Sequence, residues 1–162
     1  MLDTRTRKLT LAGILTAVAV LSGVFSFPVL GSRCAPVQHL VNILAAVFLG
    51  PLWGIGVAFS ASLLRNIAGL GSLMAFPGSM IGALACGMVY YYTRQLGLTC
   101  VAEALGTGVF GALAAYPVAA LLMGLTPASY TVYIVPFFIS TGVGSIAAFI
   151  LLRFLLPKIR RG

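Results

Sequence analysis

The chain has 162 residues, 60% of them hydrophobic and only 7% charged, with a mean hydropathy of +1.11. A soluble domain is about 45–50% apolar and about a quarter charged, so this composition excludes a water-soluble globule and describes an integral membrane protein. Ten Lys+Arg against two Asp+Glu give a net charge of +8, yet the only lysines are Lys8 and Lys158, which excludes a G-x-x-x-x-G-K-[ST] phosphate loop anywhere in the chain.

Apolar runs of about 17–25 residues are needed to cross a bilayer. Leu9–Phe27 is the first candidate span, closed by Pro28. It follows Arg5, Arg7 and Lys8 and resembles a secretion signal, but the apolar run to Leu30 is too long and lacks a small-x-small cleavage site. Gly31-Ser-Arg-Cys34 looks superficially like a lipoprotein box, against which the Arg before the Cys argues. Val37–Gly50 and Leu52–Ile67 follow, meeting at the helix-ending dipeptide Gly50-Pro51. Gly78–Thr93, Val101–Met123 and Thr131–Leu156 complete the set. Both termini are basic, with Lys158, Arg160 and Arg161 at the far end. The positive-inside rule then places both in the cytoplasm and requires an even number of spans. The expected fold is an all-α bundle of six transmembrane helices forming one domain over residues 1–162. The connections 28–36, 68–77 and 124–130 fall outside the cell.

Little in the chain supports catalysis. The carboxylates Asp3 and Glu103 pair only if the N-terminus folds back, and a single histidine makes no metal cluster. Cys34, Cys86 and Cys100 have neither disulfide-framework nor zinc spacing. No enzyme activity, cofactor or metal is expected. The positive excess flanks apolar spans and therefore reads as membrane orientation rather than nucleic-acid binding.

Polar groups inside membrane helices are expensive, so they are the functional candidates. Gln38, His39 and Asn42 open the second span, and Gln38 and Asn42, four apart, share a helix face. They either hydrogen-bond a small polar or heteroaromatic ligand or bond neighbouring helices. Arg65-Asn66 closes the third span on the same side; Arg65 binds an anion, caps carbonyls or snorkels to headgroups, and Asn66 has no such escape. The glycine-rich stretch from Gly69 to Gly78, carrying Phe76, is a pocket wall or a plain turn. Tyr116 lies deep enough to stack on a ligand ring, whereas Tyr130 and Tyr133 fit an interfacial belt, as do Tyr90, Tyr91 and Tyr92 on the inner side. Glu103 falls on the inner side, far from these groups.

Two motif matches fail in context. Gly106-Thr-Gly-Val-Phe-Gly111 spells a dinucleotide fingerprint but follows no strand and has Tyr130 rather than an acid about twenty residues on; small-face helix packing accounts for it. Ser79 with His39 lacks the elbow and further acid–base group of a serine hydrolase. In the first span, Ala12, Gly13, Thr16 and Ala17 form a small-residue stripe suited to close helix packing, within the chain or against another membrane subunit.

The blocks Cys34-Ala-Pro-Val-Gln-His-Leu-Val-Asn42, Leu49-Gly-Pro-Leu-Trp53, Leu64-Arg-Asn66 and Ala75-Phe-Pro-Gly-Ser-Met-Ile-Gly-Ala83 together resemble the ThiW family, over nearly the whole chain. That family comprises substrate-binding (S) components of energy-coupling factor (ECF) vitamin transporters, assigned to the thiazole precursor of thiamine. The resemblance implies a six-helix S component of a bacterial or archaeal plasma membrane. It would capture hydroxyethylthiazole at the outer side and pass it to a transmembrane coupling subunit driven by two cytoplasmic ATPases. It further implies a pocket under the connection between helices one and two, with Gln38, His39, Asn42, Asn66, Arg65 and Ser79 as ligand candidates and Phe76 or Tyr116 against the ring. Docking through the first helix is implied as well; the usual Ala-x-x-x-Ala is replaced here by Ala12/Thr16 and Gly13/Ala17. The lack of outer acids disfavours cationic thiamine, which calls for a carboxylate or aromatic cage. Another S-component ligand, thiamine or hydroxymethylpyrimidine, is the alternative within this class. A self-sufficient secondary transporter is the alternative outside it, with Glu103 as the only titratable intramembrane acid.

Overall fold

The computed structural model describes residues 4–29 and 32–159. Asp3, Leu30, Gly31, Arg160 and Arg161, to which the sequence reading appealed, lie outside the described residues, as does the Lys158 side chain. Six helical rods make up the fold. Helix α1 runs Thr4–Leu21 and tightens into one 3-10 turn, Ser22–Phe25. A short antiparallel hairpin follows, β1 (Phe27–Val29) with β2 (Ser32–Cys34), Phe27 facing Cys34. Then come α2 (Pro36–Phe48), α3 (Pro51–Ile67), α4 (Ala75–Thr93), α5 (Leu96–Leu122) and α6 (Ile134–Ile159).

Local chemistry explains the boundaries. Pro36 and Pro51 occupy the first turns of α2 and α3, where a missing N–H has no partner to lose. Gly50 sits at φ +91°, a conformation open to glycine, and lets α3 start one residue after α2's last turn closes. The connection 28–36 contains a hairpin whose strands satisfy each other's backbone groups. Helix α5 is continuous from Leu96 to Leu122 but widens into π-turns at Gly106–Gly111 and, after Pro117, at Val118–Leu122. Pro117 has no N–H to give the α-ladder, and such widening absorbs the defect.

Helices α2 and α4 form the centre, with α1 and α3 on one side and α5 and α6 on the other. Ala12, Leu15 and Ala19 of α1 bury against Val41, Ala45, Val57 and Ala61 of α2 and α3. A second core joins Ile43 and Ala46 to Cys86, Cys100, Ala148 and Leu152. The outer surface is apolar: Leu52 is 81% exposed and Leu121 82%, the arrangement expected where lipid is the solvent. Thr4–Phe25, Leu96–Leu122 and Ile134–Pro157 are long and apolar enough to cross a membrane, whereas α2, with 13 residues, is short.

Glycines set how closely α4 and α5 approach. A Cβ on Gly111 would lie 2.7 Å from the Gly78 Cα, and one on Gly106 3.1 Å from the Gly82 Cα. The fingerprint-like Gly106–Gly111 segment is therefore a helix-packing seam. Gly111→Ala drives a methyl into backbone and is expected to lower stability by about 1–3 kcal/mol. Gly142, with open space around it, tolerates alanine; thermal unfolding of the two purified variants checks the contrast.

Candidate functional site

A cavity of about 40 Å³ lies beneath the hairpin. Gln38 and His39 of α2, Arg65 of α3, and Gly78 and Ser79 of α4 form its walls, with Thr107 of α5 and Phe137 and Ser140 of α6 opposite. Ser32 and Arg33 of the hairpin and Ser72 and Ala75 after α3 close it off. The hairpin is itself tied down: the Ala35 N–H donates to Ser140 Oγ at 2.8 Å, and Cys34 Sγ to the Pro136 carbonyl at 3.1 Å.

Directly behind His39 lies Glu103, fully buried. Its Oε1 accepts from His39 Nδ1 at 2.9 Å and from Asn42 Nδ2 at 3.0 Å, and Thr107 Oγ1 lies at 3.1 Å. A carboxylate oxygen accepts, so this contact is made through an Nδ1–H and holds the His39 ring against α5. Nε2 has no hydrogen-bond partner among the described residues, while the ring lines the cavity. Gly82 makes this possible: a Cβ there would collide with Thr107 Oγ1 and stand 2.8 Å from Glu103 Oε2. Gly144 does the same for His39, whose own Cβ would be 2.8 Å from an added methyl.

This corrects the expectation that Glu103 lies far from the other polar groups. His39 stands about 14 Å along α2 from its Phe48 end, and Glu103 about 10 Å along α5 from Leu96, at a 1.5 Å rise per residue. The two starting points lie toward the same end of the bundle, so a short α2 brings both residues to similar depth.

The other sequence candidates divide. Gln38, His39, Arg65 and Ser79 line the cavity. Asn42 sits beneath it, donating to Glu103 and to the Ser79 carbonyl at 3.1 Å. Asn66 does not face the cavity; its amide donates to the Ser62 and Ser72 carbonyls at 2.8 and 3.1 Å and ties the turn after α3 to that helix. The glycine-rich stretch is thus both turn and wall. Phe76 turns to α3, 5.7 Å from Phe59 between ring centroids, and Tyr116 stacks on Tyr130 at 3.8 Å. Neither lines the cavity; the aromatic that does is Phe137. Tyr133 is buried beside Phe137 rather than set in an interfacial belt, and Tyr90 is likewise buried. Ser79 Oγ pairs with Ser62 Oγ at 2.9 Å and not with His39.

Phe137 and Thr107 went unrecognised in the sequence. Thr107 stands four residues after Glu103 and so shares its helix face, and Ser140-Thr141 marks a polar patch in an otherwise apolar helix; nothing in the sequence distinguishes Phe137 from its aromatic neighbours. Asn42→Ala removes one donor from Glu103 and the partner of a buried carbonyl. It is expected to lower unfolding free energy by about 1–3 kcal/mol, measured by thermal or denaturant unfolding in detergent.

A sequence family described as thiamine-precursor transporter protein (ThiW) matches residues 9–158. The fold is similar to that in a solved structure described as "Structure and mechanism of the S component of a bacterial ECF transporter", with a TM-score of 0.79 and 22% identity. The match covers 98% of this chain and all of that one, so the bundle has the S-component fold. No curated relative matches the sequence. A family match over this length makes the protein a transporter rather than an enzyme, and the chain belongs to the ThiW family of thiamine-precursor transporter proteins.

Proposed function

We propose that the chain is the substrate-capture subunit of an ECF-type importer that binds hydroxyethylthiazole in the cavity beneath the hairpin. The observation carrying this reading is the cavity itself, in which His39, Gln38 and Ser79 surround a wall supplied by Phe137. The ligand offers a ring nitrogen, a hydroxyl and an aromatic face. His39 Nε2 hydrogen-bonds the polar atoms of the thiazole, and Phe137 packs on the ring. Buried donors and acceptors left unpaired by a wrong ligand supply the selectivity. A thiazole with its side arm is larger than the present cavity, so binding widens it. The hairpin and the turn after α3 are the wall elements without helical backbone to resist.

With the hairpin end outside, both termini lie in the cytoplasm, in keeping with the basic flanks. Coupling then uses a second concavity of about 780 Å³ between α1 and α3, lined by Ala12, Gly13, Thr16 and Ala17 together with Gly56 and Ser60. Ala12 and Thr16 are buried against the bundle, whereas Gly13 and Ala17 are exposed. The Gly13/Ala17 pair thus offers the close-approach surface for a helix of the coupling subunit, which two cytoplasmic ATPases would drive.

Purified protein is expected to bind hydroxyethylthiazole in preference to thiamine, hydroxymethylpyrimidine and riboflavin in a calorimetric panel; preference for any of the other three overturns the assignment. Ala17→Leu is expected to abolish co-purification of ATPase subunits and uptake while thiazole binding persists.

The buried His39–Glu103 pair supports a second reading, a proton-coupled carrier that works alone. Because Glu103 also orients His39, Glu103→Gln does not separate the two readings. Uptake by cells lacking every ECF ATPase does: it persists only for a self-sufficient carrier.

A further inference from the structure

Arg65 is the least expected group in the cavity wall. Snorkelling to lipid headgroups, open from the sequence alone, is ruled out by its burial, since only 3% of the residue is exposed. Its hydrogen bonds are long: 3.4 Å from Nη1 to Gln38 Oε1 and 3.4 Å from Nη2 to the Leu70 carbonyl, at or beyond the usual limit. Nε has no partner. The Nε side rests against Gly23, where an added Cβ would stand 2.9 Å away, and Arg65 lines the cavity. No carboxylate pairs with Arg65 among the described residues, and Glu103 is already engaged by His39, Asn42 and Thr107. A buried guanidinium without a counter-charge is among the most unfavourable arrangements in a protein interior.

Two further observations point the same way. Gln38 is only 3% exposed and lines the cavity; its Oε1 faces Arg65 while its Nε2 has no partner among the described residues. Arg33 of the hairpin lines the same cavity. The hairpin half of the cavity therefore presents donors and positive charge, with its one side-chain amide oxygen already spent on Arg65.

We propose that this half of the cavity is a subsite for an anionic oxygen group, a carboxylate or phosphate monoester on the ligand, held by Arg65, Gln38 Nε2 and Arg33. The proposal rests on the cavity being the thiazole site and deepens that reading: acidic derivatives of the thiazole become the preferred ligand class over the neutral alcohol. Arg65 supplies the charge and a planar fork, Gln38 a neutral donor, and Arg33 a charge that closes with the hairpin.

The test uses the full-length protein in detergent or nanodiscs with five probes: hydroxyethylthiazole, its phosphate monoester, 4-methylthiazole-5-carboxylate, inorganic phosphate and acetate. An acidic thiazole is expected to bind at least about tenfold tighter than the alcohol, a difference that salt diminishes. Whichever acid binds tighter identifies the group. Arg65→Gln is expected to bring the acid-to-alcohol affinity ratio to about one, while Arg65→Lys retains part of it. Arg33→Gln, an exposed change that does not threaten folding, is expected to lower the ratio as well. If both acids bind no tighter than the alcohol, or the ratio survives in the folded Arg65→Gln and Arg33→Gln variants, the anion subsite is overturned while the thiazole assignment stands. If phosphate or acetate binds in an Arg65-dependent way and no thiazole does, the subsite stands and the thiazole assignment falls. Binding of none of the five overturns both.

Discussion

A carboxyl group buried at the centre of a helical membrane bundle needs hydrogen-bond donors, and here they gather on one oxygen, Glu103 Oε1, and tie the helices together. Glu103 has no exposed surface, and the donors on its Oε1 come from α2 as well as from its own helix. Asn42 extends the link to α4 through the Ser79 carbonyl, and Thr107 reaches toward the Gly78 carbonyl at 3.2 Å. An unpaired charge in this setting would cost several kcal/mol, so the rotation of α2, α4 and α5 about their axes is fixed by one side chain. The same contact holds the His39 ring at the cavity wall.

Such short polar side chains meet only if the backbones come close. Gly78, Gly82, Gly106 and Gly111 provide that along α4 and α5, and Gly144 does so where α6 crosses the start of α2. The apolar surface facing outward contributes little to this specificity, because lipid is as good a neighbour for leucine as another helix is. Polar satisfaction and close packing, rather than apolar burial, select the arrangement.

The cavity and the α1–α3 concavity occupy different sides of the bundle but share α3. Leu64 lines one and Arg65, the next residue, lines the other. A single helix thus carries the buried charge of the cavity and, on its other face, the small residues Gly56 and Ser60 of the concavity.

Much was legible without coordinates. Composition fixed the membrane class, Gly-Pro and Pro signals placed α2 and α3 to within a residue or two, and intramembrane polarity pointed to Gln38, His39 and Arg65, which line the cavity. The aromatic choices failed because Phe76 and Tyr116 have the right residue type but face Phe59 and Tyr130, and facing is a property of helix rotation. Asn66 failed for a related reason: an amide near a turn satisfies local carbonyls as readily as it reaches a cavity.

What the sequence determined by itself was therefore what depends on a single helix and its solvent: membrane residence, six rods, the proline-marked starts of α2 and α3, and which polar groups are too costly to be idle. Depth and pairing belonged to the tertiary structure. Glu103 and His39 are 64 residues apart and seemed to belong to opposite faces of the bilayer. Only the packing of a 13-residue α2 against α4, α5 and α6 places them side by side, because the burial of a charge is settled by its neighbours in space rather than by its neighbours in the chain.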